Sequence, residues 1–134
     1  MELLDLAKLN VGLVEHLGLR LEEITPDRVV LNFDIGPEHL QPFGIVHGGV
    51  YCSIVETAAS MGAAAWLAST GAEGNVVGVS NQTDFLRALR EGSVTGIATP
   101  IHRGRSQQLW LVEISDDQQR PVARGQVRLQ NLTN

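Results

Sequence analysis

The chain has one cysteine, Cys52, one lysine, Lys8, and one tyrosine, Tyr51, in 134 residues. A lone thiol excludes an intrachain disulfide and any zinc site built on paired cysteines. His39, His47 and His102 lie far apart, without the paired spacing of a histidine site, so no metal is expected. Bases are scarce too: the net charge is -5 at pH 7, so general attraction to nucleic acid or to an anionic membrane is not expected. There is no repeat at solenoid spacing. The opening stretch "MELLDLAKLN" carries Glu2 and Asp5 where a secretory signal carries bases, which makes the cytoplasm the expected compartment.

The longest apolar run, "GGVYCSIVETAASMGAAAWLAS" over residues 48–69, is long enough for a membrane span. It also holds Glu56, Ser53, Thr57, Ser60 and two glycines, and its surroundings read as amphipathic strands. A core helix wrapped by protein is the expectation. With 43% apolar and 19% charged residues, the composition is that of one globular domain over residues 1–134.

Leu3, Leu6, Leu9, Leu13 and Val14 predict an amphipathic helix over 3–16, stopped at Gly18. Val29, Leu31, Phe33 and Ile35 share one parity and predict a half-buried strand, with 19–24 as its hairpin partner across "TPD". Two prolines and four glycines make residues 36–49 a loop, which leads straight into the apolar helix. Four strands follow, at about 76–87, 93–102, 108–115 and 121–131, each with turn residues between. In the last, Ala123, Gly125, Val127 and Leu129 alternate with Arg124, Gln126, Arg128 and Gln130. Without βαβ alternation, the class is α+β: one antiparallel sheet curled around one helix. Ala58, Ala59, Gly62, Ala63, Ala64 and Ala65 allow the sheet a close approach.

Two features point to chemistry. His47, Gly48 and Gly49 open the long helix, where free N–H groups and the helix dipole suit an anion or a developing oxyanion. The plainer reading is that they merely begin a helix. Glu56 is the only charge from Gly48 to Ser69, so it needs a partner such as an arginine from the sheet, a proton, or a catalytic role. It stands eight residues beyond Gly48, about 12 Å along the axis at ~1.5 Å per residue. A glutamate side chain does not span that gap. If both serve one site, the carboxylate comes from a second copy, which predicts a homodimer with two composite sites. Cys52 reads as a small buried filler, and Trp66 and Trp110 as packing residues.

The stretch "QPFGIVHGGVYCSIVETAAS" resembles the hotdog-fold acyl-CoA thioesterases. The branch is that of the phenylacetate-pathway and 4-hydroxybenzoyl-CoA thioesterases of the glutamate type. The likeness covers nearly the whole chain and lies close to hydrolases of 1,4-dihydroxy-2-naphthoyl-CoA in menaquinone biosynthesis. Gln41, His47, Gly48 and Glu56 stand at the motif spacing. The resemblance implies that the Gly48 N–H polarises the thioester carbonyl and that Gln41 sits beside it. It implies that His47 orients the loop or the leaving sulfur. Glu56 of the facing subunit attacks the carbonyl or activates water, and Ser60 holds that water. Coenzyme A belongs to the substrate, and no separate cofactor is implied. Its contacts map to Gly78, Phe85, Leu86, Arg87 and Ala88 in one segment. In a second they map to His102, Arg103, Gly104, Arg105, Ser106 and Gln107, where arginines suit phosphate. The family also implies that dimers pair into a tetramer. Two alternatives stand beside hydrolysis. A hydratase would need a histidine-with-acid motif that is not found, and a non-catalytic acyl-CoA-binding protein would need no Glu56.

Overall fold

The computed structural model describes residues 6–133. Expected helix residues 3–5 lie outside that range. The remainder of the expected first helix is broken into a 3-10 turn, Leu6–Leu9, and a short helix α1, Gly12–His16. Gly12, the first residue of α1, has a φ of +58, a left-handed conformation that keeps the two pieces from running on as one helix. Strands β1 (Arg20–Ile24) and β2 (Val29–Asp34) follow, then the loop and helix α2 (Gly48–Ser69). Strands β3 (Gly74–Phe85), β4 (Ser93–Arg103), β5 (Gln107–Asp116) and β6 (Pro121–Thr133) complete the chain.

All six strands form one antiparallel sheet in the order β1-β2-β4-β5-β6-β3, wrapped around α2 in the hotdog arrangement. Alternate residues of the strands face the helix: Val29, Leu31 and Phe33, then Trp110, Val112 and Ile114, then Val127 and Leu129, all fully or almost fully buried. Burying each of the larger side chains stabilises the fold by about 1.5–3 kcal/mol relative to exposure. The helix meets them with small residues. A methyl group on Gly62 would sit 2.5 Å from the Trp110 indole, so glycine there is what lets the largest core side chain pack close against α2. α2 is long and apolar enough to cross a membrane, but its buried face is sheathed by the sheet of its own chain.

Two details of β3 matter for the site. It lies at the sheet's edge, paired with β6 alone, and Val77 and Val79 are 41% and 51% exposed there. Its pairing with β6 also slips by one residue: Gly78 lies opposite Leu129 and Ser80 opposite Arg128, which makes Val79 a β-bulge.

Candidate active site

The loop before α2 is fixed from several sides. His39 is buried, and its Nδ1 accepts the Gly36 N–H at 2.9 Å while its Nε2 donates to the Leu17 carbonyl at 2.7 Å. The Val46 N–H bonds the Leu89 carbonyl and the His47 N–H bonds the His39 carbonyl. Arg90 donates to the Phe43 and Gly44 carbonyls at 3.3 Å each. Gly44 turns the chain at a φ of +85, which only glycine adopts without strain. The Gln41 Oε1 accepts the Phe43 N–H, so the side-chain amide is oriented and its Nε2 hydrogens remain to serve another acceptor.

At the helix start, His47 Nδ1 accepts the Gly49 N–H at 2.7 Å and the His47 carbonyl accepts the Val50 N–H at 2.9 Å. The first bond caps the helix and fixes the neutral imidazole as the Nε2–H tautomer; the second is the first backbone bond of the helix. The Gly48 N–H is left without a protein acceptor among the described residues. It opens on a cavity of about 360 Å³ lined by Gln41, Gly48, Tyr51, Phe85, Leu86, Arg87 and Ala88, with Ile45 and Val46. The Phe85 ring lies directly on Gly48, within 2.8 Å of where a methyl would stand, so a side chain at this position would close the approach to its amide. Phe85, Leu86, Arg87 and Ala88 of the first expected coenzyme A segment thus neighbour the helix entrance, whereas Gly78 of that segment lies beside Glu56. Tyr51 packs its ring 6.2 Å from that of Phe85. Its hydroxyl is buried without a hydrogen-bond partner, and burial pushes the phenol up to about 12, so it stays neutral.

Glu56 has no arginine or lysine partner among the described ion pairs, so the salt-bridge explanation of this carboxylate falls. It is half-buried against β3. Its Oε1 accepts from Asn81 Nδ2 at 3.2 Å and its Oε2 from Ser60 Oγ at a long 3.4 Å. Oε2 lies 2.1 Å from where a Cβ would be on Gly78, which therefore makes room for the carboxylate within its own chain. A cavity of about 420 Å³ adjoins this turn, lined by Ser60, Met61, Ala64, Leu67 and Val76 among others. Glu56 does not line the cavity at Gly48, and one chain does not bring the two together.

The second expected segment lies at the far end of α2. Gly104 and Arg105 line a cavity of about 410 Å³ with Trp66, Leu67 and Glu73. Gly48 and Leu67 are about 29 Å apart along the helix, so the two segments do not meet in one chain. Arg103 is committed elsewhere: it donates to the Pro26 carbonyl at 2.6 Å, pairs with Asp27 at 2.7 Å and stacks over Trp66. Arg105 is exposed and has no ion-pair partner among the described residues. Ser106 and Gln107 shape the turn through their carbonyls, and the exposed His102 ring packs on Gly104. The buried Asn131 holds the turn, donating to the Gly104 and Arg105 carbonyls at 2.9 and 3.0 Å. Among the described residues no cluster of three metal-ligating side chains exists. Cys52 is half-buried rather than enclosed, and its carbonyl takes a hydrogen bond from Asn81.

Sequence reasoning missed Asn81, Tyr51 and the Asp27 partner of Arg103. Asn81 stands three residues from Gly78, and simple alternation sets it on the opposite face. The bulge at Val79 reverses that parity, and no residue type announces it.

The sequence pattern of the thioesterase superfamily matches residues 43–123. The Mycobacterium tuberculosis protein Rv1847 is 56% identical over 128 residues, 94% of this chain and 91% of its own. Its solved structure superposes with a TM-score of 0.89 over 92% of this chain and 98% of that one, at 55% identity. The structure of AziG from S. sahachiroi gives 0.87 at 51% identity, over 92% of this chain and 98% of its own. The 1,4-dihydroxy-2-naphthoyl-CoA hydrolase of Escherichia coli is 35% identical over 109 residues, 81% of this chain and 78% of its own. With a family pattern over more than half its length and a relative this similar end to end, the chain is a hydrolase of the thioesterase superfamily.

Proposed function

We propose that the protein hydrolyses an acyl-CoA thioester to the free acid and coenzyme A, at a site shared by two copies of the chain. One observation carries this reading: a carboxylate without a cation beside it, Glu56, and a free helix-start amide, Gly48, both lie along the open edge of β3. The thioester carbonyl takes hydrogen bonds from the Gly48 N–H and from Gln41 Nε2, in the field of the α2 N-terminus. The partner's Glu56 then acts on the carbonyl carbon, either by adding to it or by taking a proton from a water that adds. As the tetrahedral intermediate collapses, the C–S bond breaks and the sulfur leaves as a thiolate that accepts a hydrogen bond from His47 Nε2–H. It is protonated by the proton Glu56 took from water or, on the nucleophilic route, by the proton released when water cleaves the acyl–Glu56 anhydride. One water is consumed on either route, and Ser60 steadies the water or the carboxylate.

The dimer follows from pairing two β3 edges. Directly opposed side chains of an antiparallel pair share a face. Asn81, Thr83 and Phe85 face α2 and Ser80, Gln82 and Asp84 face away, as their β6 partners require. A two-fold axis through Gln82 sets Phe85 opposite the partner's Val79, one residue from the partner's Gly78. That carries the partner's Glu56 toward Gly48. Ile97, Leu109 and Leu111 leave a half-buried apolar strip on the outer face of the sheet, which supports further pairing into a tetramer. Arg87 and Arg105 are the favoured phosphate contacts, each from a different copy of the chain since the two lie at opposite ends of α2, and Arg103 is already bound to Asp27. An aromatic acyl group, such as 1,4-dihydroxy-2-naphthoyl, is favoured by the Tyr51 and Phe85 rings and by the Escherichia coli relative. Action in the cytoplasm accords with a coenzyme A ester as substrate.

The test is thiol release from a panel of acyl-CoAs by wild type, Glu56→Ala and Glu56→Gln. Turnover should drop by about a hundred-fold or more in both variants while folding is kept. Tight binding of the esters without turnover in wild type would make the protein a non-catalytic carrier instead.

A further inference from the structure

We infer that Asn81 is the positioning residue for Glu56, presented to it by the β-bulge at Val79. The inference rests on the catalytic reading of Glu56 and adds to it a residue that acts through the carboxylate rather than on substrate.

Three hydrogen bonds orient the amide. Asn81 Nδ2 has two hydrogens, and it contacts two acceptors: the Cys52 carbonyl at 3.1 Å and Glu56 Oε1 at 3.2 Å. Its Oδ1 accepts from Thr83 Oγ1 at 2.8 Å, which fixes which end of the amide faces the helix. The Cys52 carbonyl lies one turn before Glu56 on α2. One side chain therefore spans from β3 to both the backbone and the carboxylate of the same helical turn. Ser60, at 3.4 Å, is the weaker donor. Gly78 completes the cradle, since any side chain there would occupy the space of Oε2.

The bulge is what makes this possible. Gly78 lies opposite Leu129 and Asn81 opposite Val127, and both of those β6 residues are buried toward α2. Residues three apart in a regular strand point to opposite faces. The extra residue at Val79 puts Gly78, Asn81, Thr83 and Phe85 all on the helix side. One irregularity in one edge strand supplies both the space for the carboxylate and the donor that aims it.

The test compares Asn81→Ala, the isosteric Asn81→Asp and Thr83→Val with wild type. Asn81→Asp keeps the shape and replaces the donor with an acceptor of like charge. We expect kcat to fall about ten- to a hundred-fold in both Asn81 variants, with KM within two-fold and dimer content unchanged, since a small misplacement of a reacting group costs on that order. Thr83→Val, which frees the amide to rotate, should show a smaller loss of the same kind. In a Glu56→Ala background, Asn81→Ala should lower the residual rate no further. An unchanged kcat, or a raised KM with kcat intact, overturns the assignment and makes Asn81 structural or a substrate contact. If Asn81→Ala does not fold, the isosteric variant decides in the same way. Melting temperatures of the Asn81 and Glu56 single and double variants give a reading that needs no turnover. Additive shifts overturn the contact itself. Non-additive shifts in a protein that cleaves no ester uphold the contact and defeat only the thioesterase reading.

Discussion

At the scale of single residues, the site depends on what is left out of side chains as much as on what is in them. Gly78→Ala places a methyl in the space of the Glu56 carboxylate, so turnover should fall at least ten-fold while the strand still forms, measured as kcat beside the melting curve. Tyr51 gives the opposite case. Its buried hydroxyl has no partner, so Tyr51→Phe should leave the melting temperature unchanged or raise stability by about 1 kcal/mol. A loss of kcat/KM in that variant would show that substrate satisfies the hydroxyl. Asp116 tunes the β5–β6 turn. Burial alone would raise its carboxyl, but the N–H groups of Arg120 and Gln118 and the Arg120 guanidinium outweigh it and hold the carboxyl below the ordinary range. A depressed carboxyl stabilises the fold in full above its unfolded value, about 3.9, and loses that contribution as pH falls through the lower folded value. Asp116→Asn should therefore melt earlier than wild type at pH 7, with the gap closing below about pH 3.9.

At the scale of elements, helix α2 and the sheet were legible because their signals are periodic and their packing follows directly. Val29, Leu31 and Phe33 alternate and are buried, and Ala123, Val127 and Leu129 repeat the pattern at the far side of the sheet. The expected strand at 76–87 is real but sits two residues earlier, so Leu86, Arg87 and Ala88 follow it as a loop around the Gly48 cavity. The first helix was overread. Its leucine spacing is helical, yet Leu13 is 59% exposed and Gly12 breaks the run, since only a few of its side chains find the core. Asn81 was hidden for a different reason: a bulge changes the face of everything after it and leaves no compositional trace. Gly48, Gly49 and Glu56 stand out in the sequence because a lone charge on an apolar helix and a glycine pair at its start are rare on physical grounds. Close packing explains Gly62 just as well. Alanine is the better helix former by about 1 kcal/mol, yet Gly62→Ala should destabilise by about 1–3 kcal/mol through collision with Trp110, read by denaturant unfolding.

At the scale of the whole molecule, the open edge of β3 is the feature that decides behaviour. The other sheet edge, β1, is five residues long and carries Arg20, Glu22 and Glu23, charges that discourage strand addition. β3 is 12 residues long with Val77 and Val79 exposed, which is why the proposed pairing runs along it. Under the proposed two-fold at Gln82, a Gln82→Cys variant should cross-link to a covalent dimer under mild oxidation and return to monomer on reduction, read on a non-reducing gel. A variant that stays monomeric on that gel moves the axis to another residue.

The distance of about 12 Å between Gly48 and Glu56 along one rod has a genetic consequence. Two different crippled proteins, one lacking the acid and the other blocked at the glycine, should rescue each other when co-refolded. Random assortment makes half of the pairs mixed, and each mixed pair regains one sound centre of its two. About a quarter of the full rate should return from two inactive parents.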